Sequence, residues 1–210
     1  MPIVFAAFSP HAPIFLPWQG VKGDHARVKK TLKNLRQLGE NFKKADPESI
    51  IISSPHPDWG FKVPLYFLAK GFKGEIEQHL TASQSPVVYF EEGKKVYQGI
   101  KNLEHEKGKR IALIASGDTS HRLAEEGPYG FHPQGPDFDE KLIDALRAKD
   151  IKTILRLGEM YPEAAECGLR SFCFLLGILE ASEIKWQPEV LSYEGPFGVG
   201  YLTVNFKLNV

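Results

Sequence analysis

The chain has 210 residues, 42% hydrophobic and 25% charged, with 26 basic and 26 acidic side chains. That length suits one domain spanning residues 1–210, and the even charge gives no electrostatic reason to expect nucleic acid or an anionic membrane as partner. No apolar run approaches the roughly 18 residues of a membrane span, no basic region precedes an apolar core at the N-terminus, and Cys167 and Cys173 are too few for a disulfide framework; a cytoplasmic protein with reduced thiols is the expectation.

The first predicted strand runs from Ile3 to Phe8 and ends in Ser9-Pro10-His11. The prolines and glycines of 9–23 exclude a helix there. Asp24 is a plausible N-cap. Val28, Leu32, Leu35, Leu38 and Phe42 then recur at helical spacing with lysines between them, which predicts an amphipathic helix ending at Asp46-Pro47. A second strand, Ile50–Ile52, leads into Ser53-Ser54-Pro55-His56. Strand, helix and strand in that order imply a right-handed βαβ unit.

Beyond His56 the loop Pro57-Asp58-Trp59-Gly60 is followed by strand candidates at Pro64–Leu68, Gly74–Leu80 and Pro86–Phe90, then a helix over Glu92–Leu103. The strand Ile111–Ala115 leads into Ser116-Gly117-Asp118-Thr119-Ser120-His121. A long loop rich in Gly, Pro and aromatic residues, 127–136, precedes helices opening near Asp137 and over Ile151–Leu157. Leu169–Ala181 is apolar on most sides and belongs in the interior. Val190–Tyr193 and Gly200–Phe206 read as a closing strand pair, with Gly195, Gly198 and Gly200 for the turn.

Three apolar strands thus end in a small-residue turn and a histidine. Short apolar runs of this kind are buried on both faces and are usually parallel. Parallel strands deliver their carboxyl ends to one edge, where open α/β sheets place ligands. The fold expected is α/β, a mainly parallel central sheet with helices on both faces. His11, His56 and His121 are expected to meet at its carboxyl edge, in a metal site. Proline stiffens the turns carrying His11 and His56, and a metal ligand needs that rigidity. His121 suits a ligand or a general acid/base. Asp58, Asp118 and Glu166 are candidates for an anionic ligand, with Cys167 as a thiolate rival. Cys173 reads as core; His25, His79 and His105 read as surface. His132, in the aromatic loop, is open between pocket and surface. Tyr129 and Phe131 offer faces for a planar ligand.

Ser9-Pro10-His11-Ala12-Pro13, Ser54-Pro55-His56-Pro57-Asp58, Ser116–Arg122, Gly127-Pro128-Tyr129-Gly130 and Glu166-Cys167-Gly168-Leu169-Arg170 together resemble the class III extradiol ring-cleavage dioxygenases of the catalytic B-subunit type, and the related Memo-like proteins. The resemblance implies an α/β fold with non-haem Fe(II) held by two histidines and a carboxylate. His11 and His56 match the histidine ligands, Glu166 the carboxylate, and His121 the catalytic histidine, which is not a ligand. It further implies a catechol or aminophenol and O₂ as substrates, and a homodimer or a partner subunit. Cys167-Gly168 is similar to the Memo branch, where a cysteine takes the third position; zinc or copper then becomes the alternative metal, without ring cleavage.

Overall fold

The computed structural model describes residues 3–102 and 108–209. Six strands form one sheet in the order β3-β2-β4-β1-β6-β5: β1 (Ile3–Ser9), β2 (Ser49–Ser54), β3 (Glu75–Leu80), β4 (Ile111–Ser116), β5 (Lys185–Glu194) and β6 (Tyr201–Asn209). The contiguous set β3-β2-β4-β1 is parallel, and β6 and β5 add antiparallel at one side. The expected mainly parallel α/β sheet is what forms.

β1, β2 and β4 are buried nearly throughout because both sheet faces are covered. Their side chains alternate between two cores. Ile3, Ala6, Phe8, Ile51, Leu113 and Ala115 face a core completed by α4 (Pro86–Lys101), α5 (Gln134–Ala148), α6 (Ile151–Met160) and α7 (Leu169–Ser182). Phe5, Ala7, Ile50, Ile52, Ala112 and Ile114 face the other, covered by α2 (Lys29–Ala45) and α3 (Trp59–Leu68). Phe8 stacks on Phe172 with ring centroids 4.2 Å apart and meets Phe206 edge-on. Full burial of each such ring is worth roughly 1.5–3 kcal/mol.

The lysine-spaced stripe behind Asp24 forms α2, with Leu32, Leu35, Leu38 and Phe42 inward. Asp24 does not cap it. Asp24 sits in a separate turn, α1 (Asp24–Arg27), and its carboxylate accepts the Val21 N–H. The proline-rich loop before it holds one 3-10 turn, Pro13–Phe15. Two expected strands are helices. Pro86–Phe90 opens α4, because the Ser85 hydroxyl accepts the Val88 N–H and Pro86 sits at the first helical positions, where its missing N–H costs nothing. Pro64–Leu68 is the second half of α3, with Pro64 inside the helix. Leu103, the expected end of the Glu92 helix, lies outside the described residues. β3 forms as expected, as an exposed edge strand.

α4 and α7 cross closely because each presents a glycine to the other. A methyl group on Gly93 would sit 2.1 Å from the Phe174 carbonyl oxygen, and one on Gly177 would sit 2.0 Å from that of Phe90. This contact seats α7 against the sheet and so fixes where its N-terminus, with Cys167, meets the strand ends.

Candidate metal centre

β2, β4 and β1 are neighbours, and their carboxyl ends lie side by side. Ser9 pairs with Ser116 in register, so the two segments leaving the sheet there start level. The Gly117 N–H donates to the Ser9 carbonyl (3.0 Å), and the His11 N–H donates to the Asp118 carboxylate (2.9 Å). His11 and Asp118 are thereby held together across 107 residues of sequence. His56 is set by a compact turn: its N–H donates to the Ser54 hydroxyl, which donates to the His56 carbonyl. Gly60 closes that turn; a methyl group there would fall 1.9 Å from the Ser54 oxygen. The His11 and His56 rings meet edge to face with centroids 5.2 Å apart.

The protonation of His11 follows from an irregularity in α3. Pro64 has no N–H, so the Gly60 carbonyl, four residues earlier, has no helical donor. The Ser116 hydroxyl donates to that carbonyl instead. A hydroxyl has one proton, so Ser116 Oγ meets His11 Nδ1, 3.0 Å away, as an acceptor. Nδ1 therefore carries the hydrogen and Nε2 presents its lone pair. Burial and the nearby His56 push the His11 pKa down to about 3, which keeps the ring neutral. A neutral imidazole whose far nitrogen is hydrogen-bonded is the form that binds a metal.

The third donor facing this lone pair is Cys167, with Sγ 3.5 Å from His11 Nε2. His11, His56 and Cys167 place one ligand atom each within 4.8 Å of one another. The position of Cys167 comes from two interlocked glycines. A methyl group on Gly117 would strike the Gly168 Cα at 2.2 Å, and the Gly168 N–H donates to the Asp118 carbonyl at 2.9 Å. Burial and the Asp118 charge push the Cys167 thiol well up, so it is a thiol until an ion displaces its proton. The donor set fits a metal ion: two imidazoles and a sulfur, one imidazole already in the ligating tautomer.

Glu166, expected as the anionic ligand, is engaged elsewhere. One carboxylate oxygen accepts the Leu169 N–H (2.6 Å) and the other accepts from the Arg170 guanidinium (3.3 Å). It caps the first turn of α7, whose free N–H groups and dipole attract a carboxylate. Consecutive residues leave the loop in different directions, and here Cys167, not Glu166, turns to the histidines. Of the other acidic candidates, Asp58 is exposed and pairs with Lys62. Asp118 joins a second, overlapping donor group with His121 and Cys167. Burial is the main reason its pKa is raised to about 6.

His121 reaches the same place from the β4 loop. Its N–H donates to the Ala164 carbonyl and its ring meets Tyr129 edge to face at 5.8 Å. Burial pushes its pKa down, opposed by the Asp118 charge. Its Nδ1 is buried with no hydrogen-bond partner. The loop is tied to the β5–β6 turn by the Thr119 N–H to the Gly200 carbonyl and by the Gly200 N–H to the Ser120 carbonyl. The buried Asp139 carboxylate accepts the Ser120 N–H (2.8 Å) and the Tyr193 hydroxyl (2.6 Å). Asp139 escaped the sequence reading because a lone acid on a helix looks solvated; its only signal was its place beside Phe138 on the buried stripe.

His11, His56, Asp118 and His121 open onto a cavity of about 270 Å³, walled by Trp59 and Tyr201 among others. Phe131 and His132 do not line it; the His132 Nδ1 accepts the Gln134 N–H in a local turn. His25 packs at the 9–23 loop, with Nε2 at 2.9 Å from the Ile14 carbonyl oxygen. His79, expected on the surface, is largely covered: it lies against Phe174 and bonds Glu77. Cys173 is fully buried, as expected. His105 lies outside the described residues.

The family model described as the catalytic LigB subunit of aromatic ring-opening dioxygenase matches residues 56–204, from His56 through β6. Protein CA_C1420 of Clostridium acetobutylicum is 40% identical over 146 residues, covering 69% of this chain and 30% of that protein. The chain therefore spans about a third of that relative's length. The crystal structure of uncharacterized protein JW3007 from Escherichia coli K12 superposes with a TM-score of 0.59 at 16% identity, covering 96% of this chain and 98% of that one, a likeness of fold. The match from His56 onward takes in more than half of the chain, and the chain belongs to the LigB family of catalytic subunits of aromatic ring-opening dioxygenases.

Proposed function

We propose that this chain is a metal-dependent extradiol-type dioxygenase that opens the ring of a catechol or aminophenol with O₂, its ion held by His11, His56 and Cys167. The observation that carries the reading is that these three donors lie within 4.8 Å of one another, with His11 and His56 opening onto the same cavity as His121. A thiolate carries the same single negative charge as the carboxylate it replaces, so the electrostatic balance at the ion is kept. Ferrous iron bound there would acidify the hydroxyls of an ortho-diphenol and bring diol and O₂ together.

The protein's own side chains do the rest. Ser116 holds His11 with its lone pair forward. Asp118 anchors the His11 backbone. His121, kept below its usual pKa by burial, accepts a proton from a substrate hydroxyl oxygen and returns one as the ring opens beside the diol. Both atoms of O₂ enter the product, so the acid/base group ends in the state in which it began. Trp59 lines the cavity as an aromatic wall, and Tyr129 packs edge-on against the His121 ring.

Cys167 supports a second reading. A sulfur donor 3.5 Å from His11 Nε2 favours zinc or copper(I) over iron, giving a Memo-like metal-binding protein without ring cleavage. One experiment separates the two. Protein purified without chelator is assayed for metal content, then reconstituted anaerobically with Fe(II) and given catechol or 2-aminophenol in an oxygen electrode. Ring opening expects stoichiometric O₂ uptake, with His121→Ala retaining the ion and losing at least a hundred-fold in turnover. Tight zinc or copper with no O₂ uptake on any diphenol would establish the second reading instead.

A further inference from the structure

Tyr201 begins β6 beside the metal cluster. Its residue is 3% exposed, its ring packs edge-on against Phe15 at 4.9 Å, and it lines the cavity with His11, Asp118 and His121. Among the described residues no protein group hydrogen-bonds its hydroxyl. The hydroxyl is not sealed off: it reaches the cavity and has a hydrogen to donate to a molecule that enters it. Burial and the Asp118 charge push its ionisation far above neutral, so it remains a donor.

The other polar groups on the cavity wall are histidines and the Asp118 carboxylate. Among the described residues the lining contributes no Lys or Arg. A carboxylate brought against this wall would face the Asp118 charge, while Arg27, whose charge reaches Tyr201, is held by the Pro196 carbonyl and the Phe197 ring. Trp59 and Val199 add apolar wall. A cavity of about 150 Å³ suffices for one benzene-sized ring, so about 270 Å³ takes a single ring with small substituents.

We infer that Tyr201 is a substrate-recognition residue, and that the cavity selects a neutral single-ring diphenol or aminophenol over its ring-carboxylated counterpart. The inference rests on the metal-site reading above but not on ring cleavage. Tyr201 donates its hydrogen bond to a polar atom of the substrate, Asp118 accepts from a hydroxyl or amine, and the apolar walls take an alkyl substituent.

Zinc-loaded protein, which binds without turnover, is titrated by calorimetry with 4-methylcatechol and with 3,4-dihydroxybenzoate, and intrinsic tryptophan fluorescence is followed in parallel. The neutral ligand is expected to bind at least ten-fold more tightly. Tyr201→Phe is expected to weaken 4-methylcatechol about ten-fold with zinc content unchanged. Equal or tighter binding of the benzoate, unaltered affinity in the variant, or no binding of either ligand overturns the inference. The wild-type comparison needs no variant and stands if Tyr201→Phe fails to fold. Binding of 4-methylcatechol by zinc protein, with no O₂ uptake by iron protein, sinks the ring-cleaving reading and leaves this one standing.

Discussion

Replacing Ser116 by alanine removes the middle of a three-member relay. In the native protein the Ser116 hydroxyl satisfies the Gly60 carbonyl and accepts from His11 Nδ1. Alanine leaves both groups buried and unpaired, and Pro64 cannot supply the missing N–H. Each orphaned group costs about 1–3 kcal/mol, so the loss in stability from the two is expected to be about 2–6 kcal/mol. The His11 ring also loses the bond that fixes its tautomer, a change that typically costs about 10–100-fold in metal affinity. Zinc competition against a chromophoric chelator and thermal unfolding measure the two effects separately. Pro64→Ala is the sharper companion. It gives Gly60 a helical donor, so α3 is stabilised, yet Ser116 becomes free to donate to Nδ1 and shift the hydrogen to Nε2. The expected outcome is an unchanged or raised Tm with weaker zinc binding. Affinity within two-fold of the wild type in both variants would refute the relay.

Three further outcomes follow from other parts of the molecule. Cys167→Ala is expected to lower zinc affinity by more than a hundred-fold, while Glu166→Gln leaves it within three-fold and lowers Tm by loosening the start of α7; a metal titration showing the reverse order would restore Glu166 as the ligand. Asp139 has its pKa raised to about 6, chiefly by burial, against about 3.9 for an unfolded aspartate. A raised carboxyl is most favourable when protonated, so its contribution is present at about pH 4 and is lost as pH rises through about 6. The stability advantage of wild type over Asp139→Asn should shrink by about 3 kcal/mol across that window, and urea unfolding at each pH that finds a flat difference contradicts it. Gly177→Ala places a methyl group against the Phe90 carbonyl and is expected to cost about 1–3 kcal/mol or more, read from urea unfolding.

The sheet edge was legible from the chain because the signal was strong and repeated. Three unbroken apolar runs require burial on both faces, and each ends in a rigid turn with a histidine, so His11, His56 and His121 reach one rim. The amphipathic stripe of α2 and the apolar α7 were legible for the same reason. Pro86–Phe90 was misread because valines and a tyrosine carry strand propensity, while a Ser-Pro cap weighs more once α4 has α7 to pack against. Pro64–Leu68 was misread because a proline six residues into a helix is normally excluded. Only a hydroxyl arriving from β4 makes its freed carbonyl tolerable.

The order of residues by itself determined that imidazoles would gather at the carboxyl ends of β1 and β2, since side-chain periodicity and parallel pairing leave little choice. It did not determine which neighbouring side chain faces the two histidines. Glu166 and Cys167 are adjacent, and which one turns toward the histidines depends on Gly117 and Gly168 touching and on the free N–H groups at the start of α7, which draw the carboxylate away. Likewise the Ser116 link to His11 joins residues 105 apart and exists only after β1 and β4 have paired in register. Contacts of that range carry no local sequence pattern, which is why only the tertiary structure decided them.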